Sequence, residues 1–232
     1  MFAFISDVHG NYPALKAVIK EITALGCKKI FSLGDVAGYY CMINECVDLL
    51  KEHNVVNIMG NHDHYLTSKN GCPRSNSANV CLDYQRKVVT PENLKWLAAS
   101  LPRLKFQNIY MVHGGWQDLL DEYMFDVKEE YFSNLTGRFF LSGHSHVQML
   151  KIFKEKTYCN PGSVGQPRDG NPKAAFAILN KDQIILKRIT YNIDEIATAM
   201  QLAGFTNYFS ENLYHGTAIG GKIFTDKGSN AQ

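Results

Sequence analysis

An α/β fold is predicted by three features of this 232-residue chain. Short apolar runs at residues 2–5, 30–33 and 55–59 each stop at polar residues, as buried strands do when they deliver functional groups at their carboxyl ends. The first two runs are followed by stretches with helical apolar spacing, and strand–helix alternation places ligands at one rim of a sheet. After residue 146 the pattern changes to short β segments joined by turns.

Taken in order, residues 2–5 run into Ser6-Asp7. Leu15, Val18, Ile19, Ile22 and Leu25 then recur at helical spacing, and Gly26 closes that helix. Residues 30–33 form a strand leading to Gly34-Asp35. Asn44 is suited to cap a helix reaching about His53, with Val47, Leu49 and Leu50 as apolar positions. Residues 55–59 lead to Gly60-Asn61-His62-Asp63. The Ser-, Asn- and Gly-containing stretch 66–79 reads as a long surface loop. Thr90 and Pro91 open a short helix ending at Leu101. Strands at 109–112 and 138–141 end at His113-Gly114-Gly115 and Gly143-His144-Ser145-His146. Segments 147–153, 157–159, 174–179 and 184–190 read as an antiparallel meander. Asp194 is expected to cap a helix to Leu202, and 207–213 is a second helical stretch.

Length favours one domain, residues 1–216, in which 191–216 is a C-terminal helical extension. Residues 217–232 form a tail, polar from Thr225 onward. Lys and Arg number 24 against 22 Asp and Glu, so the net charge of +2 gives no support to a dedicated nucleic-acid surface. A local basic patch stays open. The N-terminus lacks a basic stretch followed by a long apolar run, and no run approaches the roughly 18 residues that span a bilayer. The chain is therefore expected to be cytoplasmic, with no membrane contact. Its 6 cysteines form no CxxC pair, which removes thiolate zinc and redox motifs and leaves free thiols.

Five motifs carry the chemistry: Asp7-Val8-His9, Gly34-Asp35, Gly60-Asn61-His62-Asp63, His113-Gly114 and Gly143-His144-Ser145-His146. All follow predicted strands and together supply oxygen and imidazole donors without thiolate. Such a set suits Mn²⁺, Fe, Co²⁺, Ni²⁺ or Zn²⁺ better than Mg²⁺ or Ca²⁺ alone. Asp7 and His9 are two apart, as are His144 and His146, so an extended backbone would project each pair to one side. Any one of these histidines alone is more often a satisfied core or surface residue; His53, His64 and His215 are read that way. Five motifs together are not.

The order D-x-H, G-D, G-N-H-D, H-G, G-H-x-H resembles the calcineurin-like metallophosphoesterase superfamily over about residues 1–190. His9-Gly10-Asn11, Asn44-Glu45, the run NPGSVGQPRDG (160–170) and the end from 191 to 216 are similar to a bacterial and archaeal group of small predicted phosphodiesterases. The resemblance implies a four-layer α/β/β/α sandwich with two central mixed sheets and the metal site at one rim. It implies two divalent transition-metal ions, Mn²⁺ foremost. Asp7, His9, Asp35 and His146 would hold the first; Asp35, Asn61, His113 and His144 would hold the second. Asp35 would bridge ions about 3.5–4 Å apart, with a hydroxide between them as nucleophile. His62 would then stabilise developing charge or protonate the leaving oxygen, with Asp63 orienting it from behind. Asn11 and Arg168 are candidates for phosphate oxygens, Arg168 having a structural salt bridge as its rival reading.

The chain departs from the protein-phosphatase pattern G-D-x-x-D-R-G, reading Gly34-Asp35-Val36-Ala37-Gly38 instead, so a phosphoprotein substrate is disfavoured. It also has Gly38-Tyr39-Tyr40-Cys41 where its own group has G-Y-G-P. The expected reaction is hydrolysis of a phosphodiester or phosphomonoester in a small, nucleotide-like substrate. Nuclease activity is the second enzymatic alternative. A non-catalytic scaffold for protein binding is the third, and loss of His62 or several ligands would favour it; none is lost. The helices after Asp194 read as packing elements, with a homo-oligomeric contact left open.

Overall fold

In the computed structural model, which describes residues 1–229, the apolar runs form two five-stranded mixed sheets flanked by helices. The first sheet contains β1 (Phe2–Ile5), β2 (Lys29–Ser32), β3 (Val56–Asn57), β9 (Ala174–Asn180) and β10 (Gln183–Ile189). Its order is β10-β9-β1-β2-β3, with β1, β2 and β3 parallel and β9 antiparallel to both neighbours. The second contains β4 (Arg103–Phe106), β5 (Ile109–Val112), β6 (Phe139–Leu141), β7 (Met149–Ile152) and β8 (Thr157–Asn160). Its order is β4-β5-β6-β8-β7, with a parallel centre and antiparallel edges.

Alternation along the strands explains the layers. Phe4, Phe31, Leu33, Met111, Phe139, Leu141, Ala177 and Leu179 face one another in a core between the sheets. Their sequence neighbours Ala3, Ile5, Ile30, Phe176 and Ile178 point the other way, under α1 (Tyr12–Ala24), α2 (Ile43–Glu52) and α6 (Ile193–Leu202). On the far face of the second sheet, Phe140, Met149 and Tyr158 are covered by Met124, Val127 and Phe132. That cover comes from a loop segment whose regular part is a 3-10 turn, Glu129–Phe132.

Several local expectations are corrected. The stretch 66–79 is not one loop: it lies between and within α3 (Asn61–Ser68) and α4 (Asn76–Val88), which precede α5 (Pro91–Ala98). Helix α3 lacks an apolar stripe because Asn61, His62 and Asp63 occupy its buried first turn. Helix α4 buries only Ala78, Cys81, Leu82 and Gln85, and Ser75 caps it by accepting from the Ala78 N–H at 3.1 Å. Asn44 is not a cap, since α2 begins before it. Its amide instead bridges Val88 O (2.8 Å) and the Thr90 N–H (3.0 Å). Asp194 lies inside α6, where it accepts the Tyr214 hydroxyl at 2.6 Å.

The expected meander is split, because the loop 161–173 carries the chain from one sheet to the other. Strands β7 and β8 pair in the second sheet, β9 and β10 in the first. The stretch 207–213 forms two 3-10 turns. Of the predicted tail, residues 224–229 form a hairpin of β11 (Phe224–Thr225) and β12 (Gly228–Ser229), and 230–232 lie outside the described residues.

Candidate metal centre

The carboxyl ends of β1, β2, β5 and β6, together with the start of α3, converge on one buried cluster. Asp7, His9, Asp35, His144 and His146 all have left-handed backbone, with φ of 55°, 52°, 57°, 65° and 59°. For non-glycine residues that conformation costs about 1–3 kcal/mol each and persists only where surroundings over-determine it. Here they do. Asp7 N donates to Gly34 O (3.0 Å), His9 N to Asp35 O (2.9 Å) and Gly143 N to His113 O (2.8 Å). The crossing loop adds Val164 N to Ser6 O and Gly165 N to Asp7 O, both 2.9 Å, while Ser163 Oγ donates to Asp7 O at 2.7 Å. The two-apart pairs therefore reach the site through left-handed turns and not through extended backbone, correcting that part of the sequence reading.

Two donor groups result, Asp7/His9/His146 and Asp35/His113/His144, each with ligand atoms within 4.8 Å of one another. Asn61 Oδ1 joins the second, 2.9 Å from His113 Nε2. Asp35 Oδ2 lies 3.7 Å from His9 Nε2 and 3.3 Å from His113 Nε2, between the groups, while its Oδ1 accepts the His62 N–H at 2.8 Å. Three imidazoles are fixed from behind: Nδ1 of His9 donates to Ala37 O (2.7 Å), of His113 to Leu33 O (2.8 Å) and of His146 to Gln166 O (2.6 Å). Such bonds turn Nε2 lone pairs inward, as metal ligation requires.

Without a cation this arrangement is unfavourable. His9 Nε2 and His146 Nε2 face each other at 3.0 Å with neither free to donate. Burial depresses His9 well below the ordinary imidazole value and also lowers His146, so both rings are neutral near pH 7. Asp7 Oδ1 and His144 Nε2 are buried with no hydrogen-bond partner, a cost of about 1–3 kcal/mol per group. His113 differs: burial opposes its charge, yet Asp35 outweighs burial and raises it to about 9. The proton on His113 stands where a second cation would sit. The donor set fits two divalent ions.

A family model for the calcineurin-like phosphoesterase superfamily domain matches residues 1–183. This chain belongs to that superfamily. It is 34% identical to an uncharacterized protein of Methanocaldococcus jannaschii, with 93% of this chain and 98% of the relative covered. It is 25% identical to the phosphodiesterase YfcE of Escherichia coli K12, covering 83% of this chain and 93% of that one. The crystal structure of a metallophosphoesterase from Sphaerobacter thermophilus superposes with a TM-score of 0.81 at 26% identity, over 93% of this chain and 99% of that chain. The chain is a metal-dependent phosphoesterase of the calcineurin-like superfamily, and no described helix is long and apolar enough to cross a membrane.

Within this calcineurin-like site the remaining sequence candidates separate. His62 lies 5.0 Å from both the His9 and Tyr39 rings, and its Nδ1 is buried without a partner. Burial, with Arg168 and His146 nearby, lowers its pKa to about 4 against the pull of Asp35. Asp63 does not orient His62. Its carboxylate accepts three backbone N–H groups, from Asp35 (2.9 Å), Ala37 (2.9 Å) and Gly60 (3.1 Å), and so staples the two ligand loops together. Burial and the Asp35 charge raise Asp63 to about 7 in spite of those donors. Gly60 is required beneath Asp35, because a Cβ there would collide with Asp35 Oδ1.

Asn11 is turned away from the site. It caps α1, accepting the Ala14 N–H at 3.3 Å, and donates to Gly165 O (2.8 Å) and Tyr191 (3.2 Å). Arg168 does face the cluster. Its buried guanidinium donates to the neutral Gln166 Oε1 (2.9 and 2.6 Å) and lies 5.2 Å over the Tyr39 ring. Among the described residues it has no carboxylate partner, so the rival salt-bridge reading is not met. Residues that sequence reasoning missed include Gln85, which accepts the Gly38 N–H at 2.9 Å and donates to Tyr40 O at 2.6 Å, bracing the loop against His9.

The cluster opens to a cavity of 170 Å³ whose outer walls include Tyr39, Arg74, Tyr123, Arg168 and Phe224. Larger hollows of 490 and 500 Å³ lie at the amino ends of the strands. Neither holds a metal-donor group among the described residues.

Proposed function

We propose that this phosphoesterase is a two-metal phosphodiesterase for small, nucleotide-like substrates, with Mn²⁺ as its preferred ion. The observation that carries the reading is Asp35 Oδ2, which lies 3.3 Å from His113 Nε2 in its own donor group and 3.7 Å from His9 Nε2 in the other. Asp7, His9 and His146 would hold one ion, Asn61, His113 and His144 the other, and Asp35 would contribute to both. When bound, the paired ions supply Lewis acidity and lower the pKa of water between them.

The chain's own residues do the rest. Arg168, buried and lacking a counter-charge, receives a non-bridging phosphoryl oxygen and gains the partner a buried cation needs. His62 is held neutral by its surroundings, which favours donating a hydrogen bond to developing charge over acting as a strong acid. Asp63 positions Asp35 and Ala37 through their backbone. Arg74 is already paired with Asp121, so among the described residues Arg168 is the one unpaired guanidinium lining the cleft. That suits a singly charged diester better than a doubly charged monoester. The small cleft and the near-neutral charge also argue against long polyanions. The test compares kcat/KM in Mn²⁺. Bis(p-nitrophenyl) phosphate should match or exceed p-nitrophenyl phosphate, and a strong monoester or phosphopeptide preference overturns the substrate assignment.

A further inference from the structure

The cavity is smaller than the roughly 300–1,000 Å³ that encloses a drug-sized ligand, so it houses a phosphoryl group while the remainder of a substrate lies across its mouth. One side of that mouth is aromatic. Tyr123 packs 4.2 Å from the His144 ring and is 39% exposed, so part of it is free for contact. Behind it Phe125 lies near-parallel at 5.5 Å and 7°, and Phe224 continues the series at 6.1 Å and 6°.

Phe224 reaches the site from the far end of the sequence, and its placement is fixed. Its N–H donates to Arg168 O at 2.8 Å, so the strand that carries this ring is tied to the phosphate-facing arginine. The hairpin turn is held by Lys151 Nζ to Asp226 at 2.7 Å and by Asp126 N to Asp226 O at 2.6 Å. Across the cleft, Tyr39 presents another ring against His62. Aromatic rings beside a buried guanidinium fit a planar, π-bearing group attached to a phosphate.

We propose that Phe224 and Tyr123 are specificity residues that form a stacking wall for the base of a nucleoside phosphate bound at the metals. The proposal rests on the phosphoesterase reading above and adds the group that its substrate carries. Base–aromatic stacking is sequence-tolerant, so the wall selects for the presence of a base and does not read its edge.

Calorimetric titration of the full-length, Mn²⁺-loaded protein with adenosine 5′-phosphate and with ribose 5-phosphate tests it. The two ligands share the phosphate and sugar and differ only in the base. Adenosine 5′-phosphate should bind roughly tenfold or more tightly, the scale of one stacking contact. Phe224→Leu and Tyr123→Leu, on separate segments, should each reduce that ratio several-fold. A wild-type ratio near one, or a ratio that survives both substitutions, overturns the wall. Hydrolysis of bis(p-nitrophenyl) phosphate, measured on the same preparation, separates the two claims. Activity with a ratio of one removes only the wall, and a tenfold ratio without hydrolysis removes only the phosphodiesterase reading.

Discussion

His144 and Phe224 line the same cleft but are held there by different means. His144 is buried in left-handed backbone at φ 65°, and its N–H donates to Asp7 Oδ2 at 3.2 Å. Every neighbouring ligand loop is cross-braced by main-chain bonds, so the floor of the site is preorganised for cations. Phe224 is half-buried, near the end of the described chain, and held by its backbone bond to Arg168 O, by a short tethered hairpin and by ring packing. A floor that holds cations tolerates little displacement, whereas a mouth that contacts an alcohol group can be carried on a short hairpin. Changes in the floor should therefore remove chemistry, and changes in the mouth should redistribute substrates.

The largest effect is expected at Asp35. Asp35→Asn removes charge from the carboxylate placed between the donor groups, so elemental analysis should show loss of both ions and activity should fall by several orders of magnitude. His9→Ala, by contrast, should deplete mainly one ion. Full metal content in Asp35→Asn would remove the bridging role.

His62→Asn comes next. The side chain is absent from both donor trios, so the variant should keep its metal and its fold while kcat falls by roughly two orders of magnitude or more. Loss of metal, or an unchanged rate, contradicts the role given to it.

Smallest is a proton count. His113 in the metal-free protein has its pKa raised to about 9 by Asp35, against burial, so near pH 7 it carries a proton that ligation must displace. Metal binding in weak buffer should release about one proton from His113 near neutrality. Release should fade, and apparent affinity level off, as pH rises through about 9. Release that stays constant across that range would show that His113 enters already neutral.

Much of the floor was legible in the sequence because few residue types bind hard and borderline cations, and they cluster after apolar runs. Their backbone conformation was not. Asp, Asn and His tolerate left-handed φ without announcing it, so the D-x-H spacing was assigned the wrong geometry for the right proximity. Adjacency to a motif also misled: Asn11 caps α1 and Asp63 staples two loops, roles that depend on side-chain direction. Helices α3 and α4 escaped because polar residues, Asn61 to Asp63 in one and Gln85 in the other, interrupt their buried faces. Tyr123 and Phe224 line one cleft from distant parts of the chain with no shared spacing, so only the structure brings them together.

The central claim is that two ions share Asp35. Anomalous scattering from crystals of the Mn²⁺-loaded protein tests it most directly. Two peaks are predicted, one among Asp7, His9 and His146 and the other among Asn61, His113 and His144, both contacting the Asp35 carboxylate. A single peak at saturating Mn²⁺, or two peaks with Asp35 bound to only one, would contradict the account.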